Sequence, residues 1–408
     1  MPLLLIIGYV WPEPGSSAAG SRMLQLISFF QSENYKIVFA SPAAHSEFAV
    51  DLHAIDVETQ NIQLNCSSFD DYIQGLQPDM VLFDRFMMEE QFGWRVTKYC
   101  PDAIRLLDTE DLHCLREARR QAYKKQTDYR EILLSSEIAK REIASIFRSD
   151  VTLMISEFEM DLLQNQFKVD AVLLHYLPLF VEPMGGTPLS FPERKDFVFI
   201  GNFFHEPNWN CAWVLKNEIW PELKERLPEA TLQIYGAYAT QKVTDLHNPK
   251  ERFYVMGRAS DAMEVIANAR VLLAPIRFGA GIKGKLLEAM VYGTPTVTTT
   301  VGAESMQDSG DWNGFIADDN ATFIAKAAEL YSDSELWYQK QQNGYRINSG
   351  RYTAKPHLEI LQQRIAHLKA NLKAHREANF IGTMLQHHTM QSTHYMAKWI
   401  AEKNKATR

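Results

Sequence analysis

The chain opens on an uninterrupted apolar run, Leu3–Tyr9. A small-residue loop follows, Pro12–Gly20 (PEPGSSAAG), and then a segment from about Ser21 in which Met23, Leu24, Ile27 and Phe30 recur every three or four residues. A continuous apolar run predicts a strand buried on both faces, and the recurrence predicts a helix packed on it. The alternation continues, with strands predicted at Ile37–Ala40, Met80–Phe83, Ile104–Leu107, Val151–Ile155 and Val172–Leu174. Leu112–Arg148 reads as largely helical and charged, and a helix follows Ser156. Residues 182–195 (EPMGGTPLSFPERK) break the pattern with glycines and prolines and read as a linker. A second series then places strands at Phe197–Ile200, Thr231–Tyr235, Phe253–Val255, Val271–Ala274 and Thr296–Thr299, with a short element at Gly314–Ile316. Strands alternating with helices predict parallel sheets covered on both faces. Two such series predict two doubly wound α/β domains, 1–181 and 196–350, with the cleft at the carboxyl ends of their strands as the default ligand site.

Residues 351–408 differ. From Pro356 to about Glu377, Leu358, Leu361, Ile365, Leu368 and Leu372 step by alternating threes and fours, a narrow amphipathic stripe. It predicts a long helix packing back on the domains, the alternative being a coiled-coil seam between two copies. His387, His388 and His394 follow in a polar helical tail; without acidic or cysteine partners at fixed spacing they do not make a metal site.

Composition narrows the function. Lys and Arg number 42 against 50 Asp and Glu, a net charge of −8. That balance argues against holding bare nucleic acid, which needs a dominant basic face. A hydrophobic share of 46% is that of a globular chain. Cys66, Cys100, Cys114 and Cys211 are too few and too scattered for a disulfide scaffold or a zinc site, and suit a reducing compartment. The apolar start lacks a basic flank and soon meets Pro12 and Pro14, so it reads as a strand rather than a signal peptide. A soluble cytoplasmic protein is the expectation.

The most informative segment is VLLAPIRFGAGIKGKLLEAMVYGTPTV, residues 271–297. A strand runs into a loop with Gly279, Gly281 and Gly284, and then into a helix. Such a loop delivers free N–H groups and the positive end of a helix dipole to one spot, an anion site suited to a diphosphate. Lys283 and Lys285 add cations there. Gly281, Gly284, Lys285 and Glu288 share one helical face, whereas Leu286, Leu287 and Met290 lie largely opposite. A carboxylate a turn beyond a phosphate site can accept hydrogen bonds from ribose hydroxyls. There is no Walker Lys-Ser/Thr pair and no G-x-G-x-x-G after the first strand, which disfavours P-loop and dinucleotide enzymes.

On these residues, GAGIKGKLLEAM followed by YGTPTVTTTVGAES, the chain resembles the GT-B glycosyltransferases of group 1, or family 4, type. FIGNFFHEPNWN (199–210), LQIYGA (232–237), FYVMGRAS (253–260), ISEFEMD (155–161) and LLDTEDLHCLR (106–116) resemble further parts of that family, and the likeness covers roughly residues 1–350. It implies two Rossmann-like domains, an acceptor domain and a donor domain. It also implies transfer of a sugar from a nucleotide-diphosphate sugar to a hydroxyl acceptor with retention, without metal or other cofactor. By position, Glu288 would bind the ribose and Lys285 or Lys283 would offset the diphosphate charge. The N–H groups of Gly281, Ile282, Lys283 and Gly284, beside Gly279, would face the phosphates, and Gly201 would let the second-domain loop approach them. Gly15, Ser16 and Gly20 would close over donor and acceptor. His113, with Asp108 and Asp111, would lie by the transferred sugar. One position departs from the family: Ala280 stands where most relatives carry the first glutamate of a Glu-x7-Glu pair, which contacts the donor sugar.

Surface chemistry leaves further readings. Asp108, Glu110 and Asp111 form an acidic run that serves either helix capping or acceptor binding. Arg116, Arg119, Arg120, Lys124 and Lys125 make a basic helix, either a solvated face or a contact with an anionic lipid surface, which a lipid-linked acceptor at the inner membrane face would use. Glu304 reads as a cap or a surface residue. The rival functions are a nucleotide-sugar epimerase or phosphorylase on the same scaffold, and a non-catalytic homologue, which Ala280 favours. Assembly of a surface polysaccharide or lipid-linked glycan, from a glycan or lipid-linked acceptor, is the setting the resemblance implies.

Overall fold

The computed structural model describes all residues except 183, 184, 186, 308–310, 407 and 408, and leaves aside the side chains of 388–393 and 406. The first sheet consists of β1 (Leu3–Ile7), β2 (Lys36–Ser41), β3 (Glu58–Asn61), β4 (Met80–Asp84), β5 (Ile104–Asp108), β6 (Val151–Met154) and β7 (Leu174–Tyr176). Its order is β3-β2-β1-β4-β5-β6-β7, and every pairing is parallel. The second sheet consists of β8 (Lys195–Ile200), β9 (Leu232–Tyr235), β10 (Phe253–Gly257), β11 (Ala269–Ala274), β12 (Thr296–Thr298) and β13 (Gly314–Ile316), in the order β10-β9-β8-β11-β12-β13, again all parallel. In both sheets the order reverses beside the first strand, so each has a crevice where its loops diverge.

The apolar runs form the central strands because helices cover both their faces. Every residue of β4, β5 and β6 is buried. β3 is the strand that the apolar pattern does not predict. Its residues, Glu-Thr-Gln-Asn, are largely exposed at the sheet edge, and pairing with β2 alone makes it a strand. The first helix starts at Ala18, three residues before the expected position, because the Ser17 hydroxyl accepts the Gly20 N–H at 3.1 Å. The charged stretch after Leu112 divides into helices His113–Lys125, Tyr129–Ser135 and Glu137–Arg148.

The C-terminal stripe is spent within the chain. In the helix Ala354–Ala378, Leu361, Ile365 and Leu368 are buried in the first-domain core beside Phe30, Ile104 and Val151, and Leu358 and Leu372 pack against its margin. Arg376 fastens the far end by an ion pair with Asp150 at 2.7 Å. A coiled-coil seam through this stripe, and with it a homodimer built on that seam, is therefore corrected: the apolar face has a partner already. The final helix, Phe380–Ala406, returns over helices Phe86–Tyr99 and Glu137–Arg148. There the His394 ring meets Trp94 edge-on at 5.0 Å, and the His388 side chain lies outside the described residues. Among the described residues no group of histidines, cysteines and carboxylates could hold a metal, and no helix is long and apolar enough to cross a membrane.

Replacing Leu361 or Leu368 by Ala should lower stability by about 2–5 kcal/mol each, the range for buried leucines. The check is a denaturant midpoint together with the sedimenting mass. A loss of dimer mass rather than of midpoint would restore the intersubunit seam.

Candidate active site

The two sheets face one cleft of about 840 Å³. On the second-domain side, β11 ends at Ala274 and the loop that follows turns into the helix Gly284–Val291. Leu286, Leu287 and Met290 of that helix are fully buried against the sheet, which turns Lys285 and Glu288 to the cleft. No carboxylate occupies its first turn and no side chain caps it, so its N–H groups and dipole are left for an anion.

Two glycines set the clearances. Gly281 has φ +63°, and a Cβ there would lie 2.8 Å from the Asp111 Cβ. A Cβ on Gly284 would lie 2.8 Å from the Cβ of Ala18, the first residue of the helix Ala18–Ser32. The starts of two helices therefore abut at the cleft, both without an acidic first turn.

Lysines complete this wall. Lys285 Nζ donates to Asn208 Oδ1 at 2.5 Å and stands 4.5 Å from the centre of the Phe199 ring. Burial holds it down at about 8. Lys283 Nζ donates to its own loop at Gly281 O, 2.7 Å, and burial likewise pulls it below the ordinary lysine range, although Glu304 and Glu159 act the other way. Gly279, Ile282, Lys283, Gly284, Lys285 and Glu288 all line the cleft, as does Gly201, which lies against the Asn208 amide.

Gly281 is a correction. Its N–H points into the first domain and donates to Glu159 Oε1 at 2.6 Å, so it does not face a phosphate. Glu159 is fully buried and also receives the Leu112 N–H at 3.3 Å; burial raises it well above the ordinary carboxylate range.

From the first domain come Gly15, Ser16 and Gly20, all on the cleft. Ser16 Oγ is buried without a partner. Gly20 is required by packing, since a Cβ would fall 2.4 Å from the Glu13 backbone. Glu13 Oε2 in turn receives the Tyr238 hydroxyl at 2.8 Å across the cleft.

Asp111 and His113 line the cleft, with His113 Nε2 3.7 Å from Asp111 Oδ1. Burial, only partly countered by Asp111, drops His113 to about 3, so it is neutral near pH 7 and can donate or accept. Asp111 is buried, yet Arg116 at 2.5 Å and His113 hold it below its ordinary value. Asp108 is the second correction, because it is not on the cleft wall. Its carboxylate is fully buried and takes both the Nε (3.0 Å) and Nη2 (2.9 Å) of Arg22, whose Nη1 binds Leu177 O at 2.8 Å. That pair ties β5 to the first helix and to the chain after β7.

The basic helix is a third correction. Arg119 donates to Gly279 O at 2.9 Å and to both oxygens of Glu304 at 2.8 and 2.7 Å. Arg120 and Lys124 reach Glu206, and Arg116 reaches Asp111. Arg119, Arg120 and Lys124 thus meet acids of the second domain and Arg116 one of its own, so these four cations are paired within the protein, and Glu304 is an interdomain anchor rather than a surface residue.

Several cleft residues escaped the sequence reading. Asn202, His205 and Asn208 lie within FIGNFFHEPNWN, where Gly201 alone is assigned above; Asn208 Nδ2 donates to Asn202 O at 2.7 Å, and burial lowers His205 to about 4. Glu142 accepts the His113 and Cys114 N–H groups at 3.0 and 2.8 Å and fixes the helix that carries His113. It is distant in sequence, and no motif marks it.

Residues 194–333 match the family of glycosyl transferases group 1. No curated protein is similar enough in sequence to match. Among solved structures, sucrose-phosphate synthase of Thermosynechococcus elongatus superposes with a TM-score of 0.66 at 13% identity, over 91% of this chain and 100% of that one. A glycosyltransferase of Rickettsia africae gives 0.65 at 12% identity over 91% and 99%. HepE of Anabaena, in complex with UDP and glucose, gives 0.63 at 13% over 90% and 100%. At such identities the likeness is one of fold, and the fold is GT-B. Together with the family match, it agrees with the resemblance carried by GAGIKGKLLEAM.

Asp108→Asn should leave Arg22 buried without its counter-charge and cost about 3–5 kcal/mol of stability, while nucleotide affinity stays unchanged. Denaturation and calorimetry on the same sample check both. Lost affinity at unchanged stability would return Asp108 to the cleft wall.

Proposed function

We propose that this chain, of GT-B fold, is a group 1 glycosyltransferase that binds a nucleotide-diphosphate sugar on its second domain and moves the sugar to a hydroxyl acceptor held by the first. The observation that carries the reading is the meeting of two helix starts, neither with an acidic first turn and that of Gly284–Val291 uncapped, beside Lys283 and Lys285. Positive charge fixed where the diphosphate leaves is electrostatic preorganisation at developing charge. Glu288, a turn further along, accepts from the ribose. HepE binds UDP, which supports UDP as the first nucleotide to try.

Neutral His113 beside Asp111 fits a hydrogen bond to a hydroxyl of the transferred sugar. We infer retention from the resemblance: donor and acceptor react on one face, and the leaving phosphate takes the acceptor proton. NMR of the product anomer tests this, and an inverted product overturns it. The lysines and helix starts supply the leaving-group charge without assigning a metal. Surface polysaccharide or lipid-linked glycan assembly at the cytoplasmic side is the setting inferred from the same resemblance. A second reading, a binding-only homologue, is favoured by Ala280, which offers a methyl group where relatives offer a carboxylate. Hydrolysis of the donor by the wild type would exclude it.

Glu288→Ala should weaken UDP by about 1–3 kcal/mol, roughly tenfold or more, in calorimetry. Lysine charge also fixes a pH dependence. The diphosphate needs Lys285 charged, and in the free protein that charge is lost as pH rises through about 8. Affinity should therefore be greatest below that pH and fall above it, and Lys285→Met should both weaken binding and flatten the fall. A flat wild-type profile from pH 7 to 9 would remove Lys285 from the phosphate site.

A further inference from the structure

The first-domain wall of the cleft carries two buried carboxyl oxygens without a hydrogen-bond partner. β4 and β5 end side by side on two carboxylates, Asp84 and Asp108, which stand opposite each other in register. Two residues beyond β5, Glu110 adopts φ +61° and reaches the cleft. Its side chain is buried, with 9% exposure, yet Oε1 has no hydrogen-bond partner. Asp84 also lines the cleft; its Oδ2 receives the Tyr9 N–H at 3.0 Å, and its Oδ1 has no hydrogen bond.

The nearby cations do not fill the need. Arg22 is spent on Asp108 and Leu177 O. Arg85 stands 3.6 Å from Asp84 Oδ1, outside hydrogen-bond range, and lies over the Tyr9 ring at 5.0 Å. Buried carboxyl oxygens without donors are costly and rare in folded proteins, unless a ligand or water supplies the donors. Tyr9 and Val10 line the same wall and are 41% and 43% exposed. Polar acceptors beside a partly exposed aromatic side chain match a sugar ring, whose hydroxyls donate and whose C–H face is apolar.

Resting on the glycosyl-transfer reading above, we propose that Glu110, Asp84 and Tyr9 form the acceptor subsite, and that it takes a neutral sugar unit by its hydroxyls. A phosphate or carboxylate on that unit is disfavoured, because the unpartnered oxygens of Asp84 and Glu110 call for donors and an anionic group brings none. Burial and the neighbouring Asp108 also raise Glu110 above the ordinary carboxylate range, so near neutral pH its carboxyl can both donate to and accept from a hydroxyl. Glu110 thereby binds the acceptor and sets its identity, while Asp111 and His113 face the donor sugar.

The test uses the full chain with UDP present and methyl glycosides of glucose, galactose, mannose and N-acetylglucosamine as probes, read by saturation-transfer NMR. At least one glycoside should bind the wild type and weaken tenfold or more in Glu110→Ala, which removes both the donor and the acceptor. Tyr9→Ala, at an exposed side chain, should weaken it as well, and UDP affinity by calorimetry should be unchanged in both variants. Glycoside binding that is equal in wild type and variants overturns the subsite. So does the absence of any glycoside binding to a wild type that binds UDP, and that result leaves the donor reading standing. Glucose 1-phosphate binding more tightly than methyl glucoside overturns the neutral-sugar assignment. Failure of every nucleoside diphosphate to bind a folded wild type would instead overturn the donor reading.

Discussion

Two helix starts share one edge of the cleft only because residue 284 has no side chain. With Gly284 against Ala18, the first turns of Gly284–Val291 and Ala18–Ser32 meet at one place, the former without a cap and the latter capped by Ser17 at the Gly20 N–H. Like ends repel without an anion between them, so other contacts must hold the domains at this distance. Arg119 does so from one side, reaching Gly279 O and Glu304, and Glu159 does so through the Gly281 N–H. The glutamate and the arginine grip the loop on either side of Ala280, at backbone groups that the loop cannot withdraw. The binding loop is thus held in place by contacts from the opposite domain.

Charge then divides the cleft. Its second-domain wall carries Lys283 and Lys285, and its first-domain wall gathers the carboxyl groups of Asp84, Glu110 and Asp111 with Arg85 and Arg116 beside them. In a water-excluding space such a division orients a ligand that is anionic at one end and hydroxylated at the other. His113, neutral through burial, stands between the two and disturbs neither.

Most of this was legible in the chain wherever local pattern and function coincide. The buried strands announce themselves because both faces are covered, and the glycine-rich loop with its lysines carries its chemistry within a dozen residues. The failures share a physical cause. β3 has no apolar face, because an edge strand owes its form to its neighbour. Asp108 looked like its acidic neighbours, and only the fold reveals Arg22, 86 residues away, as its partner. Arg119, Arg120 and Lys124 read as part of a solvated or lipid-facing basic helix because the acids that meet them, Glu206 and Glu304, belong to the other domain. Gly281 was expected to serve a phosphate, since nothing local shows that Glu159 claims its N–H. A buried charge is defined by a distant counter-charge, and distance in sequence hides the pair.

The returning helix also constrains motion. The chain crosses between the domains twice, once between β7 and β8 and again after Arg351, where Tyr352 is still in the second-domain core and Leu361 already in the first. The crossings run side by side: the His357 ring lies 5.6 Å from Tyr176 and 5.9 Å from Phe180, and Arg351 pairs with Glu157. Two adjacent crossings tie the domains like the two leaves of a door hinge, an arrangement that favours swinging about the line through them over twisting about any other.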